Sequence, residues 1–259
     1  MIELVFIIAS FLTSAFAAIA GMGGGIMLLS VMLLFLPIEI TLPLHGAVQL
    51  FSNFTRLILF YKYIQFRVFF IFGATATIGI IPGIYLFNSL DKLVVKIVLG
   101  LFIVYWVLRP TNTNSHQENN IRTVVFEKMY NVIFSSRSLA IAGLLVGSTS
   151  MIIGATGTLI GPFFLRAKFE KNVHIATLAI CQSYVHLLKL LAFGFIGFSI
   201  FDQTFLFITM SATTILGTIT GKRIAALMPE ETFHKFFKIV LGIIGAKILI
   251  IDGLYHWML

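Results

Sequence analysis

Two polar triplets interrupt an otherwise apolar chain. Gln49, Asn53 and Arg56 are spaced i, i+4, i+7, and Gln182, His186 and Lys189 repeat that spacing. On an α-helix such residues share one face. Inside a membrane, polar side chains are costly and turn toward a bundle interior or a wet cavity. A face of amides and cations offers hydrogen-bond donors and positive charge, which is the chemistry of holding an anion. Two other readings stay open: amides that tie helices together, and basic side chains that extend their heads to the membrane interface.

Glycines offer a second set of donors. Gly21, Gly23, Gly24 and Gly25 precede an apolar helix predicted at 25–36. Small residues there leave backbone N–H groups free, and helix N-termini and N–H nests bind anions. Gly154, Thr156, Gly157 and Thr158 form a weaker second cluster before a helix at 158–166, with hydroxyls added. The first cluster is not a dinucleotide fingerprint, because no strand precedes it. Glycines also permit close helix packing, and Gly79-x-x-x-Gly83 and Gly217-x-x-x-Gly221 are read that way. All ten acidic residues fall at or near helix ends or in loops, whereas Arg56, Lys189 and Lys247 fall within helices. An anion is therefore expected rather than a cation. His45 and His186 are the remaining titratable groups that could couple a proton, although a lone membrane histidine also serves as a helix–helix hydrogen bonder. Lys247 has Tyr105 at its equivalent position, so the duplicated Arg56 and Lys189 are preferred.

These groups need a scaffold, and the chain carries its scaffold twice. A shift of 133 places Gly21–Gly25 on Gly154–Thr158, Gln49 on Gln182, Asn53 on His186, Arg56 on Lys189 and Phe60 on Phe193. A shift of 138 pairs Gly79 with Gly217, and a shift of 142 pairs 96–100 with an identical 238–242. The shift grows in one direction, as small loop insertions would produce. Internal repetition of this kind is the first thing to seek in a sequence. It divides the chain into a first membrane repeat (1–109), a polar linker (110–137) and a second membrane repeat (138–259).

The solvent of that scaffold is lipid. The 259 residues are 59% hydrophobic and 11% charged, against about 25% charged in soluble domains, and mean hydropathy is +1.02. Apolar runs long enough to cross a bilayer recur along almost the whole length. The net charge of +8 sits in short loops, which fits membrane orientation better than nucleic acid. Cys181 is the only cysteine, so neither a disulfide framework nor a cysteine metal site is expected. The N-terminus lacks the basic stretch of a cleaved signal peptide, and 2–20 is read as a membrane segment.

Further helices are predicted near 42–61, 68–87 and 93–109, and near 138–153, 172–197, 201–221 and 236–257. An unbroken helix from 2 to 36 would run about 52 Å, well beyond a core of about 30 Å. A hairpin of two short helices bent at the glycines fits better. With hairpins, thirteen of the fifteen loop cations fall on one side, and only Lys92 and Lys96 on the other. The positive-inside rule then puts the linker in the cytoplasm and both termini outside. The expected fold is an all-α polytopic membrane protein of two inverted repeats, each a glycine-broken hairpin plus three transmembrane helices. Pro37, Pro43 and Pro82 would shape helix ends and kinks, and Trp106 and Trp257 would anchor at the interface.

The glycine cluster, its echo at Gly154–Thr158 and the duplicated helices resemble the TauE/SafE sulfite-exporter family over essentially the whole chain. The resemblance implies a prokaryotic inner-membrane permease that moves sulfite, sulfonates or related organosulfur anions, often outward. Substrate binding would fall to Gly21, Gly23, Gly24, Gly25, Gln49, Asn53, Arg56, Gly154, Thr156, Gly157, Thr158, Gln182, His186 and Lys189. The threonines of the second cluster put equal roles for the two clusters in question. A passive anion channel and a structural or sensor protein are the rival readings. No Gly-x-Ser-x-Gly elbow, carboxylate pair or His-Glu-x-x-His occurs, so no enzyme, catalytic residue, cofactor or metal is expected. The expected partners are a small anion and the bilayer, not nucleic acid.

Overall fold

The computed structural model describes residues 2–20, 23–108, 136–165, 169–224, 239, 242–243, 245–246 and 248–250. Gly21, Lys247, Trp257 and linker residues 110–135 lie outside them. The described residues are helical, with no strand. In chain order the helices are α1 (Ile2–Ala20), α2 (Gly24–Leu33), α3 (Ile38–Phe60), α4 (Phe66–Ser89) and α5 (Lys92–Leu108). The second half continues with α6 (Ser136–Ile153), α7 (Thr156–Leu165), α8 (Lys171–Phe195) and α9 (Thr204–Ile224).

The breaks fall at the glycine clusters. Gly23 has φ 97° and Gly154 has φ 73°, a left-handed conformation that glycine adopts without a Cβ clash. Helix α2 then stops at Leu33, ahead of the Leu36-Pro37 step, and Pro37 caps α3. A residue before proline is disfavoured in the helical region. Pro43 and Pro82 lie inside α3 and α4.

The hairpins are unequal, which corrects the expectation of two short helices. Helix α1 has 19 residues and α2 has 10, or about 28 Å and about 15 Å. Likewise α6 has 18 residues and α7 has 10. Residues 2–20 contain no helix breaker, so the first helix runs until the glycines and only the second is short. Among the described residues, five helical stretches are long and apolar enough to cross a membrane: Ile2–Ile19, Phe66–Ser89, Ser136–Ile153, Asn172–Phe195 and Ile200–Ile224. The outer surface matches lipid, with Phe195, Phe201 and Tyr85 more than 70% exposed, while Gln49, Asn53, Arg56 and Lys189 are buried. The protein is an all-α, multi-pass membrane protein.

Its packing is reciprocal between the halves. Helix α1 lies on α9 and α6 lies on α4, while α3 meets its own counterpart α8 and α2 meets α7. The glycine pairs make the outer contacts. A β-carbon on Gly83 would lie 2.6 Å from the Ser148 carbonyl oxygen, and one on Gly217 or Gly221 would overlap the carbonyls of Phe11 or Ala15. Gly143 and Gly147 of α6 press equally hard on Phe72 and Ala76. Contacts of Gly217 with Phe11 and Gly221 with Ala15 make α1 and α9 parallel. Helices α3 and α8 run antiparallel: Gly46 lies beside Lys189 and His186, while the Gln65 N–H, just past α3, donates to Thr177 Oγ1 at 3.0 Å.

Candidate functional site

The polar stripe of α3 faces that of α8 at the centre of the molecule. Each is held in place by hydrogen bonds along its own helix or to a neighbouring break. Asn53 Nδ2 donates to the Gln49 carbonyl at 2.8 Å, and Arg56 Nη2 donates to Asn53 Oδ1 at 2.5 Å. Asn53 thus aims the guanidinium. On α8, Lys189 Nζ donates to the Gly154 carbonyl at 3.2 Å, and His186 Nε2 lies 2.8 Å from Thr156 Oγ1. Arg56 and Lys189 are 3% and 0% exposed, so both heads are enclosed by protein rather than extended from its surface.

A small cavity, with room for about one water molecule, opens between these helices and the two breaks. Of the expected binding residues, Gly23, Gly24, Gly25, Gln49, Arg56, Thr156, Gly157, Thr158, Gln182 and His186 line it. Asn53, Gly154 and Lys189 stand behind that lining, bonded to groups at its edge. Gly21 lies outside the described residues. The lining adds Ala17, Ile26, His45 and Ala155. His45 sits four residues before Gln49, so the stripe on α3 is one turn longer than the duplicated triplet. Comparison of the repeats passed over it because its counterpart, at the shift of 133, is Leu178.

Both short helices begin at this cavity. The first N–H groups of a helix have no acceptor within it, and the N-terminal end carries partial positive charge. At α2, the N-cap Gly23 supplies no side-chain bond. At α7 the turn is tighter: the Thr156 N–H reaches the Gly154 carbonyl at 3.1 Å and the Thr158 N–H reaches Ala155 at 3.2 Å. The Thr158 hydroxyl also donates to Ala155, at 2.6 Å. Gly25 lies against the Gln49 amide and Gly157 against the Gln182 amide. Gly25 and Gly157 therefore correspond, a shift of 132 that is one residue less than the helices α3 and α8 require.

Three buried nitrogens around the cavity have no hydrogen-bond partner among the described residues: Gln182 Nε2, His45 Nδ1 and His186 Nδ1. Leaving a buried polar atom unpaired costs about 1–3 kcal/mol, so three together mark a place that something polar fills. The arrangement offers amide and helix-end donors with one guanidinium, and no carboxylate lines the cavity among the described residues. That suits an anion. No cluster of three or more His, Cys, Asp or Glu suited to a metal occurs among the described residues.

The sequence model of one family, described as Sulfite exporter TauE/SafE, matches residues 6–248. No curated protein and no solved structure matches the chain. The match covers nearly every element that builds the cavity, and the chain belongs to the sulfite exporter TauE/SafE family of multi-pass membrane transporters.

Proposed function

We propose that the protein is a secondary transporter that carries a small sulfur-containing anion, sulfite, a sulfonate or a relative, outward across a prokaryotic inner membrane. The observation that carries this reading is the convergence of the α2 and α7 N-termini, one from each half, on one buried cavity with Arg56, Gln49 and Gln182. Broken helices in transporters aim such ends at anionic substrates. Gly23–Gly25 and Thr156–Thr158 would surround the oxyanion, Arg56 would balance its charge, and the two glutamines and His186 would complete its hydrogen bonds. Asn53 and Lys189 would position the guanidinium and the α7 break.

Inverted repeats and alternating access follow from the same geometry. The antiparallel α3–α8 pair and the reciprocal outer pairs support halves of opposite orientation, which could rock about the cavity. The distribution of loop cations supports a cytoplasmic linker and external termini. Purified protein in liposomes, assayed with sulfite, sulfoacetate, taurine and thiosulfate, tests the reading. The expected result is saturable flux of at least one of them above empty vesicles. Flux that never accumulates against a gradient would replace the transporter by a passive channel, and no flux of any of the four would sink the reading.

A further inference from the structure

The helix ends, the amides and Arg56 account for an anion, and they leave His45 without a task. His45 is fully buried on α3. Its Nε2 lies 2.7 Å from the Gly25 carbonyl, which only accepts, so Nε2 carries the hydrogen. In the neutral ring Nδ1 is then a bare acceptor, and it is the atom without a partner among the described residues. His186 is less defined, because the Thr156 hydroxyl opposite it can donate or accept.

The groups facing His45 come from several helices. From α8 come His186, its ring centroid 6.0 Å away, and Lys189; a β-carbon on the adjacent Gly46 would lie 3.8 Å from His186 Nδ1 and 3.7 Å from Lys189 Nζ. Arg56 on α3 lines the same cavity, while α2 and α7 bring Gly25 and Thr156, neither of them titratable. His45 thus belongs to one half and its titratable neighbours on α8 to the other.

From this geometry we propose that His45 is a proton-carrying site, loaded at Nδ1, and that a proton crosses with the anion in the same direction. This rests on the transporter reading above. Arg56 keeps its charge, and Lys189 is a second basic group, so a further cation at His45 is repelled at short range unless a negative charge lies beside it. A bound anion supplies that charge. Gly25 joins the two sites, since it lies at the start of α2 while its carbonyl holds the imidazole. Each ligand therefore strengthens binding of the other, as linkage requires. The step is a simple proton transfer: Nδ1 takes a proton from water on one side and returns it to water on the other.

The test uses His45→Gln, whose amide can still donate to Gly25 but takes no proton, and His45→Leu, the residue type at the counterpart position. Liposomes containing a pH-sensitive dye are given thiosulfate or sulfoacetate, whose charges are fixed near neutral pH. Wild type should acidify the lumen in step with anion entry and accumulate the anion when the outside is acid. Both variants should still exchange anion at equal pH, with a raised KM because the proton that strengthens binding is gone, while the number of protons carried per anion falls at least about tenfold. If wild type carries an anion and His45→Gln still acidifies the lumen in step, the proton site is overturned and the transporter reading stands. Wild type that carries either anion without acidifying the lumen also overturns the proton site, while the transporter reading falls only if sulfite, sulfoacetate, taurine and thiosulfate all fail to move.

Discussion

Helices α3 and α8 carry the same spacing of polar residues, yet the last member of each triplet acts differently. Arg56 reaches the cavity wall, steadied by Asn53. Lys189 instead donates to the Gly154 carbonyl at the α6–α7 break, where a cation complements the C-terminal end of a helix. The breaks differ in the same sense. The first is made of glycines that line the cavity, while the second turns the Thr156 and Thr158 N–H groups and the Thr158 hydroxyl onto local carbonyls, and meets His186 with the Thr156 hydroxyl. Around this divergent centre the outer contacts are nearly identical, with a glycine pair of one half seated on a helix of the other. The two halves share the frame, where an added atom meets backbone, and differ at the centre.

The largest expected difference lies between the two basic residues. Arg56→Ala should lower anion transport by about a hundredfold, the upper end for a charged hydrogen bond, with the protein still folded. Lys189→Met should act mainly on stability, by about 0.5–1.5 kcal/mol for one lost hydrogen bond to a carbonyl that the Thr156 N–H still reaches, visible as a lower Tm in detergent. Equal transport losses at unchanged Tm in both variants would erase the distinction. Gly83→Ala and Gly221→Ala probe the frame and should cost similar amounts, about 1–3 kcal/mol each for overpacking. Thermal unfolding that shows one tolerated and the other not would break the claim of a shared frame.

Smaller effects sharpen the centre. Gln49→Ala and Gln182→Ala should each reduce transport by about two- to tenfold, as loss of one neutral hydrogen bond does; a variant with wild-type KM would place that amide outside the binding site. Gly25→Ala and Gly157→Ala should differ least. The added carbon would lie 3.6 Å from the Gln49 side chain but 3.0 Å from that of Gln182. The Gly157 variant should therefore raise KM more than the Gly25 variant, and the reverse order would argue against the structural match of these two glycines.

Much of the frame was readable in advance because its signals are local. Helices α1, α4 and α6 end within a few residues of their predicted limits, since apolar length, glycine breaks and Pro37 act along the chain itself. The Gly79/Gly83 and Gly217/Gly221 pairs were legible as packing positions, whereas Gly143/Gly147 on α6 were not singled out. Their counterparts on α1, Ser10 and Ser14, are not glycines, so the repeat gave no second copy to draw attention to them. Ten of the residues named from the sequence line the cavity. His45 was seen as titratable but not as part of the lining.

From the sequence alone came the solvent of the chain, its duplication, the places where helices must break and the preference for an anion. Each depends on composition or on spacing along one helix. Tertiary structure decided what spacing leaves open: which basic residue meets the cavity, which braces a broken helix, and why His45 faces His186. Those outcomes depend on how far α3 and α8 approach each other at Gly46, a distance set by packing between segments remote in the chain.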